Sequence, residues 1–165
     1  MPDTAPVVHT VEYVGGTEDD RAEVLRIFSI FWTANNTLDI RMLEPYWSER
    51  TIFFNSNGHV YHGSDEWKRV WEYYGARFNT SLPAELTQTT VRIDHDLAVV
   101  CDEGVRRGFG TRDVDEVSAD VAEIRRIRAT IVLARSGESW EIVHAHFSTR
   151  GAGPRPAFES AAQGV

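Results

Sequence analysis

Two histidines stand two residues apart in the string Trp140-Glu-Ile-Val-His-Ala-His-Phe-Ser148. On a strand, that spacing puts both rings on one face, together with Trp140, Ile142 and Ser148. An imidazole titrates near neutral pH, so His144 or His146 can serve as general base or acid. Ser148, next on the same face, would hydrogen-bond to His146. The alternative is that both rings are hydrogen-bonded structural groups, under the helices or in the dimer face. A His-x-His pair can also hold a metal, but no third ligand from His59, His62 or a carboxylate stands at metal spacing, so no metal site is expected.

Arg126 and Arg128 share one face of the preceding strand, and Ile127, Ala129, Ile131 and Leu133 occupy the other. If the arginine face lines a pocket, Arg128 beside a histidine makes an anion or oxyanion site. Otherwise both arginines sit in solvent, paired with Glu103 or Glu123. Asp102 and Glu103 are adjacent on a strand, so one of them must point toward the helices. A carboxylate aimed into an aromatic pocket is a candidate base. An exposed partner for Arg106 or Arg126 is the other reading. Trp32, Tyr46, Trp47, Trp67, Trp71 and Tyr74 can all face one interior, and Phe54 joins them as a candidate substrate contact. Tyr46 or Tyr74 could donate a phenol proton to an enolate or carbonyl. Cys101, in an apolar run, reads as an inert core thiol.

These groups need elements to position them. Residues 1–16 read as an N-terminal tail, with a short extended piece at Val7–Val14. Thr17 is a good N-cap, with Glu18, Asp19 and Asp20 at the positive end of the helix dipole. Val24, Leu25, Phe28, Phe31 and Trp32 recur at helical spacing up to Asn35-Asn36. Asp39 can cap a second, short helix bearing Ile40, Leu43, Tyr46 and Trp47. Thr51–Asn55 and His59–His62 read as a hairpin around Asn57-Gly58. Ser64 caps a third helix whose stripe is Trp67, Val70, Trp71, Tyr74 and Phe78. From Pro83 the apolar period becomes two: Glu85–Asp94 pairs with Leu97–Arg106, and Ile124–Arg135 with Ser139–Ser148, across a charged loop at Arg107–Glu123. Residues 17–149 form one domain, and 150–165 read as a flexible C-terminal tail.

Helices followed by an antiparallel sheet specify an α+β fold. Three helices cover one face of such a sheet, and a sheet curved over them makes a cone with an apolar mouth. The other face, expected to carry Ile127, Ile131, Leu133, Val143 and Phe147, would be a large exposed patch on a monomer, so a homodimer through the sheet is expected.

Composition excludes several classes. There are 17 basic and 25 acidic residues among 165, a formal charge of −8. Such a chain is a poor partner for nucleic acid or an anionic membrane. The one cysteine excludes an intrachain disulfide and a four-cysteine zinc site. The longest apolar runs, Leu97–Cys101 and Ala129–Ala134, are strand-sized, and Met1–Thr10 has no export-signal pattern, so a cytoplasmic location is expected.

The element order, the terminal string from Trp140 to Ser148, Arg128-Ala-Thr130 before it, and the segment from Asn57-Gly58 to Gly63-Ser64 together resemble the nuclear-transport-factor-2-like superfamily. The likeness runs over roughly residues 17–149. Within the superfamily the string is similar to the SnoaL-like branch, which includes polyketide cyclases and the association domain of calcium/calmodulin-dependent protein kinase II. The resemblance implies a cone-shaped barrel, a pocket between helices and sheet, and usually a dimer through the sheet. It implies no single reaction. Ketosteroid isomerase, also of this superfamily, places an aspartate base near the end of its first short strand. The matching residue here is Asn55, which cannot take a proton but can orient a carbonyl or a water. The association domain carries a similar His-x-His string without catalysis, and its pocket holds arginines.

The functional expectation is a cofactor-independent proton transfer, whether isomerisation, cyclisation or hydration/dehydration, on a hydrophobic carbonyl-bearing small molecule. His144 or His146 would move the proton, and Arg128 with Asn55 or Tyr46 would hold the oxyanion. Trp32, Tyr46, Phe54, Trp67, Trp71 and Tyr74 would bind the substrate. The alternative is a ligand-binding or oligomerisation module of the same fold without turnover.

Overall fold

A computed structural model describes residues 6–37, 39–56, 58–75, 78–79, 85–111 and 123–149. Strands β1 (Val7–Val8) and β2 (Val11–Gly15) precede helix α1 (Glu18–Thr37). Two 3-10 turns, Ile40–Met42 and Glu44–Tyr46, lead into β3 (Trp47–Phe54) and β4 (Val60–His62). Helix α2 (Gly63–Gly75) follows, then β5 (Phe78–Asn79), β6 (Glu85–Leu86), β7 (Thr89–Asp94), β8 (Leu97–Thr111), β9 (Glu123–Ser136) and β10 (Ser139–Thr149). The fold is the expected α+β arrangement, helices against one face of a curved sheet. The main path of the sheet runs β1-β6-β8-β9-β10-β3-β4, and β7 pairs with both β8 and β2.

The expected second helix is instead the pair of 3-10 turns. Asp39 caps the first, accepting the Arg41 amide at 3.2 Å, but Pro45 in the second removes a donor that a continuing α-helix needs. The strand after it therefore begins at Trp47. The third helix ends at Gly75, and Phe78 lies in a short strand on β8. The run Glu85–Asp94 divides into β6 and β7. Val7–Val8 and Val11–Gly15, read as part of a tail, pair in parallel with β6 and β7. Residues 112–122 and 150–165 lie outside the described residues.

Thr17 starts α1 as a capping box. Its hydroxyl accepts the Asp20 amide at 3.1 Å and donates to the Asp20 carboxylate at 2.8 Å. Arg135 Nη2 holds the other Asp20 oxygen at 2.7 Å and lies over the Trp140 ring at 4.3 Å. This ties the helix start to the β9–β10 hairpin. Gly63, at φ 65°, turns the chain into α2 so closely that a Cβ would meet the Glu49 carbonyl at 3.1 Å. Glu66 accepts the His62 amide at 2.6 Å and secures that turn.

The core lies between α1, α2 and the inner face of the sheet. From α1 it takes Ile27, Phe28, Phe31 and Trp32; from β9, Ile127, Ala129, Ile131 and Leu133; from β10, Trp140, Ile142, Ala145 and Phe147. This corrects the expected dimer face: Ile127, Ile131, Leu133 and Phe147 are buried under the helices. An apolar set of that size lowers free energy most by facing the apolar stripe of α1.

The alternation along β10 is broken once. Its register with β9 shifts between Ile142, which pairs with Leu133, and His144, which pairs with Val132. Val143 is the extra residue of a bulge. Trp140 and Ile142 point inward before it, Ala145 and Phe147 after it. His144 and His146 therefore point outward, on the opposite side of the sheet from Trp140 and Ile142. Strict alternation put the four together; the one-residue bulge separates them.

Candidate functional site: the inner face around Asp102

The interior is walled by aromatic rings. Trp32 stacks on Phe147 with centroids 5.0 Å apart, and Phe147 meets Phe53 edge to face at 5.0 Å. Phe53 meets Trp67 edge to face at 4.1 Å, Trp67 stacks with Trp47 at 6.2 Å, and Trp71 adds a ring at 5.4 Å from Trp67. The offset and edge-on geometries are those that ring quadrupoles favour.

One row across the inner face brings a carboxylate to this wall. Phe147 on β10 pairs with Ala129 on β9, Ala129 with Asp102 on β8, and Asp102 with Thr89 on β7. All four are buried. Ala129 is the small member of the row, between Phe147 and Asp102. Asp102 is 2% exposed and accepts the Thr89 hydroxyl at 2.8 Å and the Thr87 amide at 3.4 Å. Among the described residues it is the one buried side chain of an acid or base. A buried carboxylate needs such donors, because burial without partners is costly. Adjacent Glu103 is exposed, so the pair divides between the faces as strand alternation requires.

An open cleft of about 780 Å³ lies where the end of α1, the 3-10 turns and α2 meet. It is lined by Thr37, Asp39, Ile40, Arg41, Glu44, Lys68, Trp71 and Glu72. Its cations are already paired: Arg41 with Asp39 at 2.7 Å and Lys68 with Glu44 at 2.7 Å. Through Trp71 the cleft adjoins the aromatic wall.

A SnoaL-like domain model matches residues 24–150. The chain belongs to the SnoaL-like family. Among solved structures, this SnoaL-like chain is similar to a ketosteroid isomerase-like protein from Erwinia carotovora atroseptica, with TM-score 0.66 and 15% identity over 82% of this chain and 99% of that one. A nuclear-transport-factor-2-like protein from Cytophaga hutchinsonii matches at TM-score 0.59 and 16% identity, over 82% and 100%. A protein from Exiguobacterium sibiricum, provisionally assigned as a calcium/calmodulin-dependent kinase II association domain, matches at TM-score 0.64 and 11% identity, over 84% and 99%. At these identities the likeness is one of fold. No curated protein matches.

The SnoaL-like fold sorts the residues singled out by sequence into two sets. Trp32, Trp67 and Trp71 lie in the interior, with Trp47. His144, His146, Arg128 and Phe54 do not. His146 and Arg128 are exposed on the outer face, and Phe54, 43% exposed, meets His144 and His146 edge-on at 5.0 and 6.0 Å. Phe53 takes the inward place, since neighbours on a strand face opposite ways. Burial and nearby His146 push the His144 pKa below its ordinary value, partly offset by the Ile52 backbone. Asn55 is a turn residue whose side chain accepts the Ser56 amide at 2.7 Å. The Tyr46 hydroxyl accepts Arg26 at 2.8 Å, and Arg26 also binds both oxygens of Glu23, so this phenol belongs to a surface network. The Tyr74 side chain lies outside the described residues. Cys101 is on the outer face, its sulfur accepting the Thr130 hydroxyl at 3.7 Å, and is half-buried rather than core. Sequence reasoning missed Phe53 and Phe147; the period-two pattern of β3 was the available signal for Phe53.

Proposed function

We propose that this SnoaL-like protein is a cofactor-independent enzyme that moves a proton on a hydrophobic, carbonyl-bearing small molecule held against the inner face. The observation that carries this reading is the buried carboxylate of Asp102 in one row with Phe147. The carboxylate takes a proton from the carbon next to the substrate carbonyl, leaving an enolate, and the carboxylic acid returns it at the same or a conjugated carbon. The proton is conserved and no electron acceptor is needed. Thr89 and Thr87 fix the carboxylate, and the apolar wall selects an apolar substrate. The reading replaces the histidines with Asp102, because both rings face away from the interior.

Exchange of the α-protons of 2-tetralone in D2O, followed by NMR, tests this without knowledge of the natural product. The protein should accelerate exchange over buffer, and Asp102→Asn should lose roughly 100-fold of that acceleration while staying folded. An unchanged rate in the variant, or no acceleration by the wild type, overturns it.

A second reading is ligand binding or self-association without turnover. It is favoured by the placement of His144, His146, Arg128 and Asn55 outside the interior. Binding of the ketone without exchange would select it. In either case we infer a homodimer through the outer face of the sheet, where Ile52, Phe54, Val60 and Leu97 are exposed. Among the described residues no helix is long and apolar enough to cross a membrane.

A further inference from the structure

The outward turn of His144 and His146 places two titratable rings beside the exposed apolar side chains Ile52 and Phe54. Across the sheet, Ile52 on β3 pairs with His144 on β10, and His144 with Val132 on β9; one row on, Phe54 pairs with His146, and His146 with Thr130. Ile52 is 38% exposed and Phe54 43%. Over the central strands β3, β10, β9 and β8 neither row contains an aspartate or glutamate, although the chain as a whole carries a charge of −8; the charged ends of the rows, Arg92 and Glu12, lie out on β7 and β2. Two copies can therefore bring these central strands together at neutral pH without bringing like charges together. A face that is self-complementary in charge is what a two-fold interface requires.

From this geometry we infer that protonation of His144 and His146 is a switch that releases self-association through the outer face. The inference rests on the homodimer reading above and adds its regulation.

The groups facing these histidines decide the sign. On β4, His62 pairs with Ile52 and lies two strands from His144. Arg50 on β3 and Arg128 on β9 are exposed at the ends of the patch, Arg92 on β7 lies in the His144 row, and the nearest outward acids are Glu141 on β10 and Glu103 on β8, beside Arg128. Below neutral pH the histidines join three arginines against two glutamates, and each copy presents the same cations to the other. Imidazolium rings buried at an interface lose hydration as well as repelling each other. The global loss of negative charge on acidification acts the other way. It is carried by exposed groups over distances that salt screens beyond about 10 Å, so the contact term prevails. The same burial that lowers the His144 pKa in one copy deepens when a second copy covers it.

Sedimentation equilibrium at constant ionic strength, at pH 7.5 and 5.5, tests the switch. The dimer Kd should rise at least about tenfold on acidification. In His144→Gln/His146→Gln the change should shrink to within about threefold. His146→Gln alone, at an exposed site, should remove part of it if the double variant does not fold. Monomer at micromolar protein at pH 7.5 overturns the inference together with the dimer reading. A dimer of equal affinity at both pH values overturns the switch and leaves the dimer standing. Tighter association in acid also overturns it, since the rings would then be pairing with the acids of the second copy.

Discussion

The two faces of one sheet differ in almost every respect. The inner face is closed: Trp32, Phe53, Trp140 and Phe147 are essentially out of solvent, and among the described residues one carboxylate, Asp102, is buried with them beside a hydroxyl donor. The outer face is open, mixed and bears the histidines. Both faces are built by the same strands, so their contents are decided by parity alone. Parity changes in β10 at Val143 and in the β8–β9 pair between Asp102 and Val105. A single inserted residue thus assigns four side chains to solvent or interior.

Exchanging neighbours across the sheet is the strongest way to break this contrast. His146→Phe with Phe147→His puts an imidazole among Trp32, Phe31 and Phe53 and a phenyl ring on the outer face. Loss of the Phe147 packing alone costs about 3–5 kcal/mol, before the imidazole is desolvated. The exchange should lower the urea midpoint more than any single truncation. A midpoint near the wild-type value would mean that the strand does not fix the two faces. Deleting Val143 should by contrast leave the faces in place, because Trp140, Ile142, Ala145 and Phe147 then alternate inward without the bulge.

Single truncations on the two faces should differ in the same direction. Trp32→Ala, at 0% exposure and stacked on Phe147, should lose about 3–5 kcal/mol. Phe54→Ala, half in solvent, should lose about 1 kcal/mol or less in dilute protein. Equal losses in urea denaturation would show that the outer face is as tightly packed as the inner one.

Much of the fold is legible in the residues. Thr17 through Asn36 specify a capped amphipathic helix, and the period-two runs after Pro83 specify the long strands, because both patterns are local. The apolar stripe Ile127, Ala129, Ile131 and Leu133 was equally visible, but which side it faces depends on where α1 packs. The site was less legible. Periodicity puts His144 and His146 on one face with Trp140 and Ile142, and the bulge that separates them leaves no mark in composition: Val143 is an ordinary strand residue. Asp102 stood out only as one of two adjacent acids. Which of the two turns inward is fixed by the registers of β7 and β9, and those pairings are long-range.

Acid should act on the inner edge and the outer face in separate windows. Asp20 joins α1 to the β9–β10 hairpin. Its bonds to Arg135 and then Thr17 hold its pKa at about 2, below the ordinary 3.8. With the folded pKa depressed, its stabilisation is complete above about 4 and is lost as pH falls toward 2. Urea midpoints should drop through that window, and Asp20→Asn should lower the plateau above pH 4 and flatten the drop. A variant that tracks the wild type over both ranges would remove the Asp20–Arg135 link from the account.

The smallest effect is expected from His144, on the outer face. Burial lowers its pKa in the folded chain below the ordinary 6.5, so in mild acid the unfolded chain binds the proton more readily than the folded one. Stability therefore has no His144 contribution above about pH 7, begins to fall as pH drops below about 6.5, and levels off once the folded-state pKa has been passed. The ring is half-exposed, so the slope should be shallow in monomeric protein. His144→Gln should flatten the urea midpoint between about pH 6.5 and 5 and leave the Asp20 window untouched, because the two groups lie on different sides of the sheet and share no partner. His146→Gln should move that slope slightly rather than remove it, since His146 is exposed and contributes to the His144 shift only through its charge. A slope of the opposite sign, with stability rising into acid, would mean that His144 has an acidic partner on the outer face, and the contrast between histidines without a carboxylate beside them and a carboxylate-bearing interior would fail at its centre.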